Sequence, residues 1–197
     1  MNNIRKITKL NINAIGTDTK KSLLKDFIWN NDLDVAFLQE VSFENFGFIP
    51  SHHAFVNISL TNKGTAILLR KNTNPKRVLL NPNKRISSIL FDNTNFINIY
   101  AHSGTQFRKE RELLFTEDVI SHLSGVHPNI LLGDLNCILD ANDSSSTVKN
   151  FSNGLKTLIA SVQLVDAEKN LNKKILYTFH RGDSKSRLDK IYARMNS

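Results

Sequence analysis

An apolar run that ends in a glycine, an acid and an amide constrains this chain most strongly. Residues 129–136 read NILLGDLN, and the consecutive Ile and Leu residues predict a strand buried on both faces. Asp134 and Asn136 lie two residues apart, so in an extended backbone both point to one side at the C-terminal end of the strand. Together they can bind a hard cation and orient a phosphate oxygen, although the same residue types are common where a strand simply ends in a turn.

Further strands and helices are indicated along the chain. Apolar runs predict strands at 4–13, 34–40, 54–59, 64–70, 86–91, 96–101, 176–179 and 187–193, and amphipathic patterns predict helices at 20–30, 107–123 and 154–162. The strands between 54 and 101 follow one another through short turns, which favours antiparallel pairing. The pattern predicts an α/β or α+β domain in which two sheets pack face to face with helices outside.

Length and charge narrow the class of protein. The chain has 197 residues, which fits one domain with a substantial core. Its formal net charge of +8 favours a polyanionic partner, above all nucleic acid. A generically basic soluble domain is the alternative, because the excess charge is spread along the chain. We expect a monomer.

Composition also indicates the compartment. Cys137 is the only cysteine, which excludes an internal disulfide and a cysteine-built zinc site and favours a reducing environment. The polar residues after Met1 do not resemble a signal peptide, so we expect a nuclear or cytoplasmic protein rather than a secreted one. No apolar run is long enough to cross a bilayer, so no membrane partner is expected.

Polar side chains stand at the ends of several predicted strands. If the two sheets bring these ends to one rim, the rim holds carboxylates, amides, a phenol and a hydroxyl, which suit Mg²⁺ or Mn²⁺ better than zinc or copper. Such a site fits phosphodiester hydrolysis, in which the metal polarises the phosphate and a carboxylate activates water. Most of these residues are also common turn, cap or strand residues, but an acid inside an apolar strand is costly to bury without a partner. The side chains are Asn11, Asn13, Glu40, Tyr100, His102, Asp134, Asn136, Thr178, His180 and Asp189.

Seven short segments form an ordered set. They are LNIN at 10–13, LQE at 38–40, KGTAIL at 63–68, NIYA at 98–101, GDLN at 133–136, YTF at 177–179 and SRLDKIY at 186–192. Together they resemble the motifs of the endonuclease/exonuclease/phosphatase superfamily, over the span from Leu10 to Ala193. The chain looks most similar to the apurinic/apyrimidinic-like endonuclease domain of non-LTR (LINE-type) retrotransposons. The resemblance implies a four-layered α/β sandwich, with two packed mixed sheets flanked by helices.

The resemblance also implies catalytic roles. Glu40 would ligate Mg²⁺ (or Mn²⁺), with Asn11 beside it at the metal. Asp134 would position or activate the attacking water, Asn136 would hold a phosphate oxygen, and Tyr100 would contact the scissile phosphate. The implied reaction is a nick in one DNA strand, which exposes a 3′-hydroxyl to prime a reverse transcriptase domain of the parent polyprotein.

DNA contacts are expected around this site. The resemblance implies that Thr178 contacts the DNA backbone, and Arg187 in the last motif is a further candidate. The basic segments 75–85 and 105–111, the second of which contains Arg108, either contact the backbone or form solvated basic faces.

The family's closing motif is missing from the chain. Family members normally end with a Ser-Asp-His motif that leads into a final strand, whereas this chain ends four residues after Ala193. The single domain at 1–197 is therefore expected to be incomplete at its C-terminus, without the last strand and without the histidine that Asp189 would orient. His102 and His180 lie nearest the predicted strand ends, and the simplest interpretation of both is that they lie in loops. The other histidines are expected at the surface, namely His52, His53, His122 and His127.

Two alternatives to a DNA endonuclease stay open. One is a phosphatase that acts on small phosphoesters with the same fold. The other is an inactive DNA-binding remnant that lacks the catalytic histidine. The basic charge and the last two motifs argue against the first alternative, and the missing motif is the support for the second.

Overall fold

The computed structural model describes residues 5–59, 63–171 and 176–194. In these ranges the strands are β1 (Ile7–Asn11), β2 (Val35–Val41), β3 (His52–Asn57), β4 (Gly64–Arg70), β5 (Arg77–Leu80), β6 (Ile86–Phe91), β7 (Thr94–Tyr100), β8 (Asn129–Asp134), β9 (Val165–Asp166), β10 (Phe179–Arg181), β11 (Ser184–Ser186) and β12 (Asp189–Ala193). The helices there are α1 (Asp18–Asn30), α2 (Arg108–Thr116), α3 (Asn153–Ser161) and α4 (Ala167–Leu171), with 3₁₀ turns at Asp118–His122 and Ala141–Asp143. None of these helices is long and apolar enough to span a membrane.

The strands form two mixed sheets and one hairpin. The four-stranded sheet has the order β1-β2-β4-β3, and the six-stranded sheet has the order β5-β6-β7-β8-β12-β9. In the first, β1 and β2 run parallel; in the second, β7 and β8 run parallel; the other neighbours are antiparallel. Strands β10 and β11 form a two-stranded antiparallel hairpin.

Apolar side chains join the layers. Between the sheets, Phe96 stacks on Phe37 and Phe91, with ring centroids 5.6 and 4.9 Å apart. Helix α1 buries Leu24 and Ile28 against the outer face of the four-stranded sheet, and α2 and α3 pack on the outer face of the six-stranded sheet. The order helix, sheet, sheet, helix confirms the predicted α/β sandwich of two mixed sheets flanked by helices. The absence of a last strand, and the extent of the domain, stay predictions.

Two helices depart from their predicted limits for local reasons. The helix predicted at 107–123 ends early, because Glu117 has φ −125° and ψ −60° and the chain continues as a 3₁₀ turn. Helix α1 begins two residues before its predicted start. Thr17 caps it by accepting a hydrogen bond from the amide of Lys20, which places the start of the helix at Asp18.

Three strand regions were not predicted because they lack an alternating apolar pattern. Strand β5 lies inside the basic segment 75–85, and β9 has only two residues. The hairpin occupies a polar segment, and all three residues of β10 are exposed. Because the faces of this hairpin are exposed, its residues need not alternate between apolar and polar. The sequence therefore carries no periodic signal for it.

A buried amide ties the two sheets together. Asn98 on β7 donates from Nδ2 to the carbonyl oxygens of Leu38, at 3.1 Å, and Ala66, at 3.2 Å, on the facing sheet. Its Oδ1 accepts a hydrogen bond of 2.6 Å from Nε2 of Gln39. Asn98 is fully buried, so these bonds offset the loss of its water contacts. They fix the position of β7 relative to β2, and both strands lead to predicted site residues.

Gly133 allows β8 to approach β7 closely. It has a φ of +138°, and a Cβ atom built on it would lie 2.0 Å from the carbonyl oxygen of Ile99. No side chain fits in this space, and the backbone conformation is one that residues other than glycine rarely adopt. Because Asp134 follows directly, this glycine fixes where the carboxylate emerges from the sheet.

We expect Gly133→Ala to lower the free energy of unfolding by about 3 kcal/mol or more, through strain and the forced separation of two strands. Gly125→Ala is a matched control, because a Cβ there meets nothing within 4 Å; it should change stability by less than about 1 kcal/mol. Urea denaturation measures both. Similar values for the two variants would contradict the close approach.

Two histidines that were predicted at the surface are buried, so that prediction is wrong for them. His52 is 7% exposed, and its Nε2 lies 3.0 Å from the carbonyl oxygen of Leu33. His122 is 3% exposed, and its Nδ1 lies 2.8 Å from Oγ of Ser88. Each imidazole finds a polar partner inside the fold. Burial lowers the pKa of His122 to about 4.

This shift makes stability depend on pH. The pKa of His122 in the folded state is lower than its ordinary value of 6.5, so as the pH falls the unfolded chain binds the proton first. The neutral imidazole therefore contributes its full stability above pH 6.5, and this contribution is lost between pH 6.5 and about 4. Over that interval we expect the wild type to lose about 3 kcal/mol more than His122→Asn, measured by denaturation at several pH values. Parallel curves for the two proteins would rule this out.

Candidate active site

A large open cavity lies where the predicted site residues meet. Its volume is about 1020 Å³. Strand β1 ends in Asn11, β8 ends in Asp134 and β12 begins with Asp189, so three strands deliver polar side chains to the same end of the two sheets. The predicted residues that line the cavity are Asn11, Asn13, Glu40, Asp134, Asn136, Thr178 and Asp189.

One amide joins the two sheets at the floor of the cavity. Nδ2 of Asn11 donates to Oε1 of Glu40, at 2.8 Å, and to Oδ2 of Asp134, at 3.0 Å. The amide orientation is determined, because Oδ1 of Asn11 accepts a hydrogen bond from the backbone N–H of Asn13 at 2.9 Å. Asn11 therefore turns its amino group to the two acids and its oxygen away from them. This geometry suits a residue that orients the carboxylates, and the role of Asn11 as a metal ligand stays a prediction.

Three residues that line the cavity have left-handed backbone conformations. The φ angles are +44° at Asn13, +56° at Glu40 and +49° at Asn136. Glu40 also lies at an irregularity in the pairing of β2 with β4, between Gln39 and Val41. A β-bulge re-aims a side chain, and strain of this kind clusters at functional sites. Here the bulge turns Glu40 toward the cavity.

Two lysines pair with carboxylates of the floor. Nζ of Lys63 lies 2.5 Å from Oε2 of Glu40, and Nζ of Lys9 lies 3.5 Å from Oδ1 of Asp189. Neither lysine was predicted as a site residue. The sequence does hold a signal for Lys9, because it precedes Asn11 by two residues in the same strand and therefore points to the same face. Lys63 belongs to the KGTAIL segment at 63–68, but its pairing with Glu40, 23 residues away, has no signal in the local pattern.

Asp134 is a buried acid at the floor of the cavity. It is 5% exposed, and its register partner across the sheet is Asp189. Burial, reinforced by the charge of Asp189, raises the pKa of Asp134 to about 7. Two hydrogen bonds oppose this rise, one from the backbone N–H of Asn136 to Oδ1, at 3.2 Å, and one from Asn11 to Oδ2. The result is a carboxyl group that can gain and lose a proton near neutral pH.

Asn136 is held in place by its own amide groups. Its Nδ2 donates to the carbonyl oxygen of Ala101 at 2.9 Å, and its backbone carbonyl accepts from Nδ2 of Asn150 at 2.7 Å. A carboxamide nitrogen carries two hydrogens, so one remains for an oxygen in the cavity. This arrangement is compatible with the predicted role of Asn136 in holding a phosphate oxygen.

Tyr100 lies behind the cavity lining. It ends β7 opposite Asp134 and is 8% exposed. The guanidinium carbon of Arg85 lies 4.5 Å from the centre of its ring, a cation–π contact that sequence reasoning did not identify. Burial and the nearby charge of Glu40 raise the pKa of Tyr100, so its hydroxyl stays protonated. Direct contact between Tyr100 and a phosphate stays a prediction.

The three residues predicted to contact DNA differ in their surroundings. Thr178 lines the cavity, and its Oγ1 accepts from the backbone N–H groups of Leu188 and Asp189, both at 3.1 Å. Its hydroxyl hydrogen is left to donate elsewhere. Arg108 is exposed at the start of α2. The side chain of Arg187 is only 3% exposed, so its prediction as a DNA contact is corrected: it is a structural residue.

A buried cluster of charges surrounds Arg187. Its guanidinium pairs with Asp143 at 3.2 Å, with Glu168 at 3.0 Å and with Asp166. Lys190, which is fully buried, pairs with the other oxygen of Asp143 at 2.5 Å. Arg187 and Lys190 of the last motif are therefore buried ion-pair partners inside the fold.

This cluster joins two walls of the cavity. Beside it, the Oγ atoms of Ser144 and Ser186 lie 2.9 Å apart, and the backbone N–H of Arg187 donates to the carbonyl oxygen of Asp143 at 2.7 Å. The loop after β8 thus runs along β11 of the hairpin. Both segments line the cavity, the loop through Ser144, Ser146, Val148 and Asn150, and the hairpin region through Phe179, Arg181, Ser184 and Ser186.

Removing one partner from a buried ion pair leaves an uncompensated charge. We therefore expect Arg187→Leu to lower the free energy of unfolding by about 3–5 kcal/mol. Arg108→Ala, at an exposed helical position, should change it by less than about 0.5 kcal/mol. Thermal and urea denaturation of both variants test the reassignment of Arg187. It would be refuted by a fully stable Arg187→Leu protein that had lost only DNA affinity.

The family model described as the endonuclease/exonuclease/phosphatase family matches residues 3–194. The chain belongs to this family. The family's name denotes enzymes that cleave phosphate esters. The membership confirms the superfamily inferred from the seven motifs, and no curated protein sequence matches the chain.

Solved structures of other proteins share the fold. One is an AP endonuclease from Archaeoglobus fulgidus, with a TM-score of 0.73 and 20% identity, over 96% of this chain and 86% of that one. Another is the 3′ phosphatase NExo from Neisseria bound to a product DNA hairpin, with a TM-score of 0.77 and 18% identity, over 97% and 87%. A third is a humanized TDP2 of D. rerio, with a TM-score of 0.67 and 20% identity, over 96% and 83%.

Enzymes of the endonuclease/exonuclease/phosphatase family generally use divalent metal ions. In the described ranges, no three Asp, Glu, His or Cys side chains converge into a closed metal cage. Magnesium does not require one, since it is usually held by one or two carboxylates together with water and substrate phosphates. Glu40 faces an open cavity and already binds a cationic ammonium group, so the floor of this site fits such an ion.

The histidines of this family member lie away from the floor. No histidine is found among the cavity-lining residues in the part of the chain that the structure describes. His102 is half-buried, with its ring centre 5.9 Å from that of Phe107, and burial lowers its pKa. His180 is exposed on β10. Neither candidate reaches Asp134, and Asp189 has Lys9 as its cationic partner.

Proposed function

We propose that the protein is a metal-dependent phosphodiesterase that nicks DNA, with Mg²⁺ (or Mn²⁺) held at Glu40. The observation that carries this proposal is Asp134, a buried carboxylate with a pKa near 7 at the floor of an open cavity, between Asn11 and Asn136. A base with such a pKa takes a proton from water efficiently near neutral pH. The endonuclease and phosphatase chemistry named for the solved relatives supports the same reaction type.

Each floor residue has a definite task in this reaction. The two oxygens of Asp134 each accept one hydrogen bond from the protein, and a carboxylate oxygen has room for two, so both can still receive the attacking water. The water gives its proton to Asp134 as its oxygen bonds to phosphorus, and the bond from phosphorus to the leaving oxygen breaks. Asn136 donates its second amino hydrogen to a phosphate oxygen. A bound divalent ion would neutralise charge on the phosphate and on the leaving oxygen.

Positive charge near the cavity suits a nucleic-acid substrate. The chain carries a net charge of +8, Arg181 lines the cavity, and Arg85 lies behind it. The exposed residues Thr178 and Arg108 remain our candidates for contacts to the DNA backbone. A cavity built for one small phosphoester would not need cationic groups beyond its floor.

The motif order supports a more specific setting. The nearest resemblance is to the endonuclease domain of LINE-type retrotransposons, so we infer that the nick exposes a 3′-hydroxyl for reverse transcription. A reverse transcriptase domain of the same polyprotein is then the expected partner. In this setting the domain acts as a monomer inside the cell.

The direct test is nicking of supercoiled plasmid with Mg²⁺. We expect Asp134→Asn and Glu40→Gln each to reduce the rate by about 10²-fold or more, because one removes the base and the other the metal ligand. Glu44→Gln, at an exposed position outside the cavity, is the charge-matched control and should leave the rate unchanged. Far-ultraviolet circular dichroism establishes that all variants fold.

Other outcomes identify the alternatives. Release of inorganic phosphate from small esters, with intact plasmid, would identify a phosphatase. Salt-sensitive DNA binding by a folded wild type that neither nicks plasmid nor releases phosphate would identify an inactive DNA-binding domain. Nicking that survives both Asp134→Asn and Glu40→Gln would place the chemistry elsewhere.

A further inference from the structure

Both carboxylate oxygens of Glu40 already hold a hydrogen-bond donor. Oε2 accepts from Nζ of Lys63 at 2.5 Å, and Oε1 accepts from Nδ2 of Asn11 at 2.8 Å. The Glu40 side chain is 19% exposed, so water offers it little further solvation. A divalent ion that binds Glu40 therefore approaches an oxygen that already holds a donor.

The two donors are not equally fixed. Asn11 is held by three hydrogen bonds, since its amino group also reaches Asp134 and its oxygen accepts from Asn13. Moving it would disturb two carboxylates and a backbone turn. The side chain of Lys63 is 39% exposed, and its ion pair in the described part of the chain is the one with Glu40. A long side chain of this kind can swing into solvent at small cost.

We propose that Lys63 competes with the divalent ion for Oε2 of Glu40 and thereby sets the metal affinity of the site. This inference rests on the proposed metal site at Glu40, but it does not depend on DNA cleavage. An ammonium and a divalent cation cannot share one carboxylate oxygen at contact distance, because like charges repel. Metal binding accordingly expels the ammonium group of Lys63 from Oε2, and removal of that group favours the metal.

A second cation near Glu40 provides a control. It distinguishes competition for Oε2 of Glu40 from general repulsion of the metal ion by positive charge. Arg85 is a second cation in this region, but it contacts the ring of Tyr100 rather than Glu40. Arg85→Met removes the same charge without freeing an oxygen of Glu40. Lys63→Arg keeps a donor that can pair with the carboxylate, so it should behave like the wild type.

The experiment is a titration of the DNA-free protein with Mn²⁺, followed by the electron paramagnetic resonance signal of the free ion. We expect Lys63→Met to bind Mn²⁺ about tenfold more tightly than the wild type, whereas Lys63→Arg and Arg85→Met should differ from it by less than about threefold. Glu40→Gln should abolish the tight site. Circular dichroism establishes that each variant is folded, and Lys63→Gln, which also removes the ammonium group, gives the same test if Lys63→Met is unstable.

Several results would overturn the inference. One is that Lys63→Met binds Mn²⁺ no better than the wild type. Another is that Arg85→Met tightens Mn²⁺ binding as much as Lys63→Met does, because overall charge would then explain the change in affinity. Tight binding that survives Glu40→Gln, or an absence of Mn²⁺ binding in every variant, would refute it as well. Failure of the plasmid assay with the expected Mn²⁺ affinities would refute only the proposed function.

Discussion

The alignment of the two sheets depends on buried amides, and Asn98 lies in the middle of the core. Apolar packing holds two sheets together but does not determine how they align, because it has little directional preference. Asn98 supplies the direction, since its amide spans the interface to β2 and β4 with hydrogen bonds that tolerate little displacement. The strands aligned in this way end at the cavity, so the position of each carboxylate follows from a polar contact buried far from solvent.

Around the cavity, strained backbone and a buried acid occur together. Left-handed conformations occur at Asn13, Glu40 and Asn136, and Asp134 is buried with no cationic partner among the described residues. Each of these features costs free energy, and the layered core on either side offsets that cost. The lysines on Glu40 and Asp189 limit the repulsion within a group of three acids. Burial, reinforced by the charge of Asp189, raises the pKa of Asp134 to about 7.

The sequence was most informative about the strands and the residues at their ends. The apolar runs predicted β4 and β6 at their observed limits, and strand-end polarity identified Glu40, Asp134 and Asn136 as cavity residues. Residues whose roles depend on contacts between distant segments could not be found in this way. Lys63 reaches Glu40 only across two strands, and Arg187 was read as a surface charge because its carboxylate partners lie 19 to 44 residues away. A charged residue has no local pattern that distinguishes a buried ion pair from an exposed position.

The amino group of Asn11 connects an acid of the four-stranded sheet with an acid of the six-stranded sheet. The separation of the two acids therefore depends on the spacing between the two sheets. Stacked rings such as Phe37 and Phe96 set this spacing. Hydrogen bonds tolerate changes of only a few tenths of an ångström, which is less than the width of one methylene group. The aromatic core therefore has two requirements to meet, a folded chain and a fixed gap between the two acids. The gap between the acids tolerates less change than folding does.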